Sequence, residues 1–121
     1  MARIERSLVV DALDALVALS TTIASGTFTI LQTGPCEIKS ILVTTTVAAG
    51  TDITVELWDS TGDYLLVPPS TAELVEGPGG ATSAIFQVDV AVLNEMTSYT
   101  LRATLSAGTG DLTAAKLVRE F

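Results

Sequence analysis

The stretch that decides the fold class is residues 53–64, Ile-Thr-Val-Glu-Leu-Trp-Asp-Ser-Thr-Gly-Asp-Tyr. The apolar side chains at positions 53, 55 and 57 alternate with Thr54, Glu56 and Trp58, as in a β-strand with one face turned to a core. The next residues, 60–63, are typical of a short turn, and Tyr64 begins a second extended run. This stretch therefore predicts a β-hairpin.

The same pattern recurs along most of the chain. Strands are predicted at residues 27–32, 36–47, 52–58, 64–67, 86–90, 97–105 and 112–121, with Pro68 and Pro69 ending the fourth and a long loop over residues 70–82. Branched aliphatic residues and Thr are frequent, which favours pleated, half-buried surfaces. The prediction is an all-β fold, an antiparallel β-sandwich of jelly-roll-like form. Its expected core contains Ile53, Val55, Leu57, Phe86, Val88, Tyr99, Leu101, Ala103 and Leu105.

The length of 121 residues, 48% of them hydrophobic, suits one domain with one core. We therefore expect a single domain over residues 1–121. Residues 20–121 would form the sandwich, and residues 1–19 an N-terminal arm or short helix.

The N-terminal segment allows two interpretations. Leu8, Ala12, Leu16 and Leu19 fall on one helical face, with Ser7 placed as an N-cap. A period of two over residues 15–23 fits an extended arm almost as well. Because the segment is rich in apolar residues, we expect it to attach to a partner or to another copy. Its candidate interface residues are Arg3, Ile4, Arg6, Leu8, Val9, Leu13 and Leu16. The competing interpretation is a first core strand, or a helix packed on the sandwich of its own subunit.

The charge distribution limits the classes of partner that the chain is expected to bind. The net charge is −8, and no basic residue lies between Lys39 and Arg102, so no basic stripe for nucleic acid or an anionic membrane is visible. Acidic residues interrupt the N-terminal apolar stretch, and residues 15–36 are too polar to span a bilayer. We therefore expect no signal peptide, no membrane segment and synthesis in the cytoplasm.

The sequence offers no catalytic set. It has no histidine, which removes the common nucleophile systems and zinc sites, and Cys36 stands alone, as a small core side chain. The run Asp59-Ser60-Thr61-Gly62 has one residue too many for the aspartic protease signature. No catalytic, cofactor-binding or metal-binding residues are therefore predicted, and the acidic turns are expected to be solvated rather than to hold calcium.

Alternation places Trp58 with Thr54 and Glu56, on the face away from the predicted core. A loop or the N-terminal arm could cover it, or it could anchor a protein interface or stack on a sugar ring. We include it among the interface candidates.

Two stretches resemble strands of small virion β-sandwiches: residues 53–64 and residues 98–112, Ser-Tyr-Thr-Leu-Arg-Ala-Thr-Leu-Ser-Ala-Gly-Thr-Gly-Asp-Leu. The family they resemble is the decoration, or cement, protein of tailed-bacteriophage capsids, over about residues 27–121. The resemblance implies a non-enzymatic virion protein that forms homo-oligomers, with a trimer favoured. It also implies contacts that clamp neighbouring major capsid subunits, or another virion protein. No catalytic residues come with this family.

A second function class fits the same fold. A carbohydrate-binding or fibre and adhesion module would use the aromatic side chains Trp58, Tyr64 and Tyr99. A small hydrolase ranks third, because the catalytic groups are missing.

Overall fold

The computed structural model of the chain describes residues 7–93 and 97–121. They form ten strands and one short 3-10 turn, Pro78–Gly80. The strands are β1 (Leu8–Ala12), β2 (Val17–Leu19), β3 (Ala24–Thr29), β4 (Cys36–Thr45), β5 (Asp52–Asp59), β6 (Leu65–Glu73), β7 (Val75–Glu76), β8 (Thr82–Val92), β9 (Ser98–Leu105) and β10 (Gly110–Glu120).

The strands form two antiparallel sheets. Sheet A has the order β1-β10-β4-β8-β7, with β2 also pairing with β10, and sheet B has the order β3-β9-β5-β6. The partners are nested in sequence, since β1 and β2 pair with β10, β3 with β9, β4 with β8, and β5 with β6. A long antiparallel ribbon rolled into two sheets has this order, which is that of a jelly roll. The predicted all-β sandwich is confirmed.

The core lies between the two sheets. On β5 the alternating residues Ile53, Val55 and Leu57 are fully buried, and β9 places Leu105 and Leu101 opposite the first and last of them. All the predicted core residues belong to this core, with only Val88 half-buried rather than buried. The alternation read from the sequence is therefore the alternation that the fold uses.

The predicted end of a strand at Pro68 and Pro69 is wrong. Strand β6 runs through both prolines to Glu73, and the ladder with β5 shifts register between Val55 and Leu57, opposite them. Proline is tolerated there because β6 is an edge strand, and one side of its backbone needs no donor. The predicted loop over residues 70–82 is correspondingly shorter.

Residues 7–19 are extended and do not form the helix that one interpretation predicted. Strand β1 pairs with the end of β10, Leu13 bridges to Phe28 of sheet B, and β2 returns to the start of β10. Strand β10 has an edge not paired with β4, along which both segments form hydrogen-bonded strands. This pairing buries Val17 and Leu19 in the core. This part of the N-terminal segment belongs to the sandwich of its own subunit.

A buried ion pair fixes this edge of the fold. Arg119 on β10 donates from Nε to Asp11 Oδ2 at 2.5 Å and from Nη2 to Asp11 Oδ1 at 3.3 Å, and both side chains are fully buried. The Leu31 backbone N–H donates to the same carboxylate at 3.1 Å, while Arg119 Nη1 donates to the Gln32 carbonyl at 2.8 Å. Burial alone lowers the pKa of Arg119, but its hydrogen bonds, above all to Asp11, outweigh this effect and raise the pKa. The pair ties the first strand, the last strand and the β3–β4 connection together.

Candidate contact surface

The outer face of sheet A carries a continuous band of apolar side chains, which we call the apolar diagonal. It consists of Leu8 and Val10 on β1, Val118 on β10, Leu42 on β4, Ile85 on β8 and Val75 on β7. Register places Val10 opposite Val118 and Leu42 opposite Ile85, while the other steps are diagonal neighbours within side-chain reach. The band therefore crosses all five strands of the sheet path.

Four of these six side chains are exposed to solvent. Leu8 is 65% exposed, Ile85 57% and Val75 62%, whereas Leu42 and Val118 are half-buried. Single exposed apolar residues are normal on protein surfaces, but a contiguous patch marks an interaction site. The apolar diagonal is the candidate contact surface of this molecule.

The charges beside the diagonal are largely balanced. Lys39 on β4 pairs with Glu37 at 2.7 Å and with Asp89 at 3.2 Å, and these hydrogen bonds, first to Glu37 and then to Asp89, raise the pKa of Lys39. Lys116 on β10 lies directly opposite Leu42 on β4. Glu120 lies opposite Leu8, so the charged side chains beside the diagonal include two lysines and three carboxylates.

Trp58 lies on the outer face of sheet B, and a neighbouring strand covers it. The guanidinium of Arg102 on β9 stands 4.5 Å from the centre of the Trp58 ring. Arg102 also lies close to the hairpin turn. Its Nη2 would be 3.2 Å from a Cβ atom placed on Gly62. The indole Nε1 is buried and has no hydrogen-bond partner among the described residues. Arg102 therefore covers one face of the Trp58 ring.

A small open depression of about 200 Å³ lies beside this pair. Its lining consists of Ile23, Thr54, Glu56, Pro69, Arg102, Ala103 and Thr104. Hydroxyl, carboxylate and guanidinium groups therefore lie next to apolar ones in this depression.

The structure separates the predicted interface residues instead of gathering them. Leu8 and Leu16 are exposed, whereas Val9 is half-buried and Leu13 packs against the core. Arg3, Ile4 and Arg6 lie outside the described residues. Sequence reasoning missed Leu42, Val75, Ile85 and Val118, which only the strand order of sheet A brings together.

The other aromatic candidates differ in exposure. Tyr99 is 1% exposed and belongs to the core, so it is not available to stack on a ligand, whereas Tyr64 is 69% exposed. Burial and the neighbouring Cys36 raise the pKa of the Tyr99 hydroxyl.

Asp59 shapes the turn of the hairpin. Its carboxylate accepts hydrogen bonds from the Thr61 hydroxyl and from the backbone N–H groups of Asp63 and Tyr64, at 3.0–3.2 Å. Burial alone raises the pKa of Asp59, but these hydrogen bonds and one from the Gly62 N–H lower it below its usual value. This carboxylate is therefore used by the turn itself.

Within residues 7–93 and 97–121, no group of three or more acidic or cysteine side chains is arranged to hold a metal ion. No helix in the described parts of the chain has the length and apolar content needed to cross a membrane.

The fold and this surface define the chain as a jelly-roll β-sandwich with an apolar outer face. No protein-family model matches it, and no curated protein matches it. Among solved structures it is similar to TmCBM61, a carbohydrate-binding module in complex with beta-1,4-galactotriose, at a TM-score of 0.35 and 10% identity, over 96% of this chain and 87% of the other. It is also similar to the virus-like particle of the extra small virus of the giant freshwater prawn Macrobrachium rosenbergii. That TM-score is 0.26 at 12% identity, over 99% of this chain and 81% of the other. At these TM-scores neither likeness bears on function.

Proposed function

We propose that the chain is a non-enzymatic structural protein of a virion, which binds an assembled shell and stabilises it by contact with major capsid subunits or another virion protein. The observation that carries this proposal is the apolar diagonal. A band of exposed Leu, Ile and Val side chains across five strands offers the apolar centre of a protein interface, with Lys39 and Lys116 on its polar rim.

Contact alone is sufficient for this function. A protein that binds the assembled shell but not its separate subunits shifts the equilibrium towards the shell by mass action. No covalent step and no cofactor are needed. Jelly rolls occur in viral capsid proteins as well as in lectins, so the fold is compatible with this function, although a fold alone does not assign one.

The experiment uses shells assembled without this chain, to which the purified protein is added back. Val10→Glu places a charge in the apolar diagonal, and Thr27→Glu places the same charge on an exposed position of sheet B. Wild type and Thr27→Glu should cosediment with the shells and raise their melting temperature. Val10→Glu should bind about 5- to 30-fold more weakly, as expected for loss of about 1–2 kcal/mol at an apolar contact.

Far-UV circular dichroism and a melting curve of each free variant show that the sandwich is intact. Equal binding of Val10→Glu and wild type would refute the proposal, and so would loss of binding in Thr27→Glu alone.

A carbohydrate-binding or adhesion module is the second candidate, and the depression on sheet B is the observation that favours it. Glu56 and Arg102 lie directly opposite each other there, flanked by Thr54 and Thr104. A carboxylate and a guanidinium side by side can accept and donate hydrogen bonds to adjacent hydroxyls. Titration of the protein with neutral oligosaccharides by calorimetry tests this candidate. Binding that Glu56→Ala removes and Val10→Glu retains would favour it over shell contact.

A further inference from the structure

The four sheet edges of the sandwich are protected to different degrees. On sheet B, β6 carries Pro68 and Pro69, and β3 is covered by residues 13–14, whose Asp14 N–H donates to the Thr27 carbonyl at 2.9 Å. Prolines and covering segments are common protections of strand edges against unwanted pairing. On sheet A, one edge is formed by the short strands β1 and β2.

The remaining edge, that of β8, is long, and strand β6 of sheet B packs beside part of it without pairing with it. Strand β8 spans Thr82–Val92, and β7 pairs only with Thr82 and Ser83. Among the described residues, no strand pairs with residues 84–92 on the side away from β4. The strand contains no Lys, Arg or Pro, and Ile85 is 57% exposed. An edge of this kind is a template for another strand.

We propose that the unpaired edge of β8 pairs with the same edge of a second copy, antiparallel and about a two-fold axis at Val88. Residues opposite each other in an antiparallel pair share a face, so the axis must pass through a residue and not between two. With the axis at Val88, Ala84 lies opposite Val92. The pairing then extends over all of residues 84–92 and ends where β7 begins.

The neighbouring registers are less favourable. An axis at Gln87 would pair Ser83 with Ala91, at a position that β7 already occupies. An axis at Asp89 would place two Asp89 carboxylates opposite each other, which is destabilising. Of these three axes, only the one at Val88 avoids both.

The side chains in this register are complementary. On the core face Phe86 lies opposite Val90, and on the outer face Ile85 lies opposite Ala91, so both pairs are apolar. Gln87 lies opposite Asp89, and its amide can donate to that carboxylate, which also accepts from Lys39 at 3.2 Å. The ladder with β4 shifts register between Ile38 and Ser40, where Val88 and Asp89 both lie opposite Lys39, so β8 has a bulge at the axis.

Such a pair goes beyond the proposed contact with a shell, and it differs from the trimer that the resemblance implies. Joining two β8 edges makes one continuous sheet from the two copies of sheet A and places two apolar diagonals on the same side. Two linked contact surfaces bind a repeating lattice more tightly than one, because the second contact forms at high effective concentration.

The test is sedimentation equilibrium of the free, full-length chain over a wide concentration range, with substitutions at Gln87. Gln87→Asp places two carboxylates opposite each other at two symmetric points. Gln87→Lys places a cation opposite Asp89 at the same points. At about 0.2–1 kcal/mol per cross-strand pair, Gln87→Asp should weaken dimerisation roughly 2- to 30-fold, and Gln87→Lys should leave it unchanged or strengthen it. Thr27→Asp and Thr27→Lys, on the outer face of sheet B, measure the effect of net charge alone.

Three outcomes would overturn the proposal: a wild-type chain that is monomeric up to its solubility limit, equal weakening by both Gln87 substitutions, or no change in either. Hydrogen exchange provides a second measurement. Amides in residues 84–92 should gain protection as concentration rises in the wild type, whereas in Gln87→Asp they should gain it only at higher concentration. Because no shell is present, failure here is distinguishable from failure of the shell-binding proposal.

Discussion

Replacing Asp11 with Ala should destabilise the protein more than a usual surface substitution at an N-terminal strand. The change removes the acceptor of three hydrogen bonds, from Arg119 Nε, Arg119 Nη2 and the Leu31 N–H. Arg119 is fully buried and would keep its charge without a counterion. The Gln32 carbonyl and the Cys36 sulfur remain beside it, but neither carries the opposite charge.

The magnitude follows from this geometry. Removing one member of a buried ion pair typically costs about 3–5 kcal/mol, because the other charge stays desolvated. A domain of this size has a free energy of unfolding of only about 5–15 kcal/mol, so the loss is a fifth of it or more. The corresponding fall in Tm is roughly 10–20 °C.

Urea denaturation followed by circular dichroism measures the effect, and the apolar double substitution Asp11→Leu with Arg119→Met is the matched control. Replacing both members of a buried pair by apolar residues of similar size is often neutral or stabilising. The double variant should therefore recover most of the stability that Asp11→Ala loses. A loss of less than about 1 kcal/mol in Asp11→Ala would refute the reasoning, since no buried charge would then be uncompensated.

Three further predictions concern the fold. Deleting residues 1–19 should abolish the cooperative unfolding transition, because β1 and β2 cover β10 and bury Val17 and Leu19; a deletion variant that still melts cooperatively would show that the segment is dispensable. Leu101→Ala, at a position 1% exposed, should cost about 2–5 kcal/mol in urea denaturation, and a loss below about 1 kcal/mol would contradict the assigned core. Burial raises the pKa of Tyr99 above its ordinary value of 10.0, so the folded state holds this proton more tightly than the unfolded state does. Stability from this group is therefore complete below about pH 10 and falls as the pH rises further. Tyr99→Phe should remove that part of the alkaline loss, and an unchanged pH dependence in Tyr99→Phe would speak against it.

The sequence was most informative where local alternation and tertiary burial agree. Residues 53–58 alternate because β5 has one face in the core. The composition of residues 60–63 predicts the turn found there, and hydrogen bonds to Asp59 stabilise it. Pro68 and Pro69 misled the prediction because a proline ends a central strand but is compatible with an edge strand. Whether a strand lies at an edge depends on the order of the sheet, which local sequence does not specify.

The burial of Asp11 and the position of the apolar diagonal also depend on the strand order, which local sequence does not specify. A carboxylate in an amphipathic segment suggests the solvent side, and only Arg119, 108 positions away, explains its burial. The members of the diagonal range from Leu8 to Val118, and each one alone is an ordinary exposed apolar residue. They become one surface through the nested pairing of the strands, which is a property of the whole fold. Leu8 was found from the apolar richness of its segment, whereas Ile85 had no local signal.

Electron cryo-microscopy of the native particle would show directly which face of the chain touches the shell. We expect density for this sandwich on the shell, with the outer face of sheet A and Leu8, Val10 and Leu42 buried against coat subunits. A particle in which the outer face of sheet A is turned to solvent, with the chain held through sheet B at Trp58 and Arg102, would contradict it.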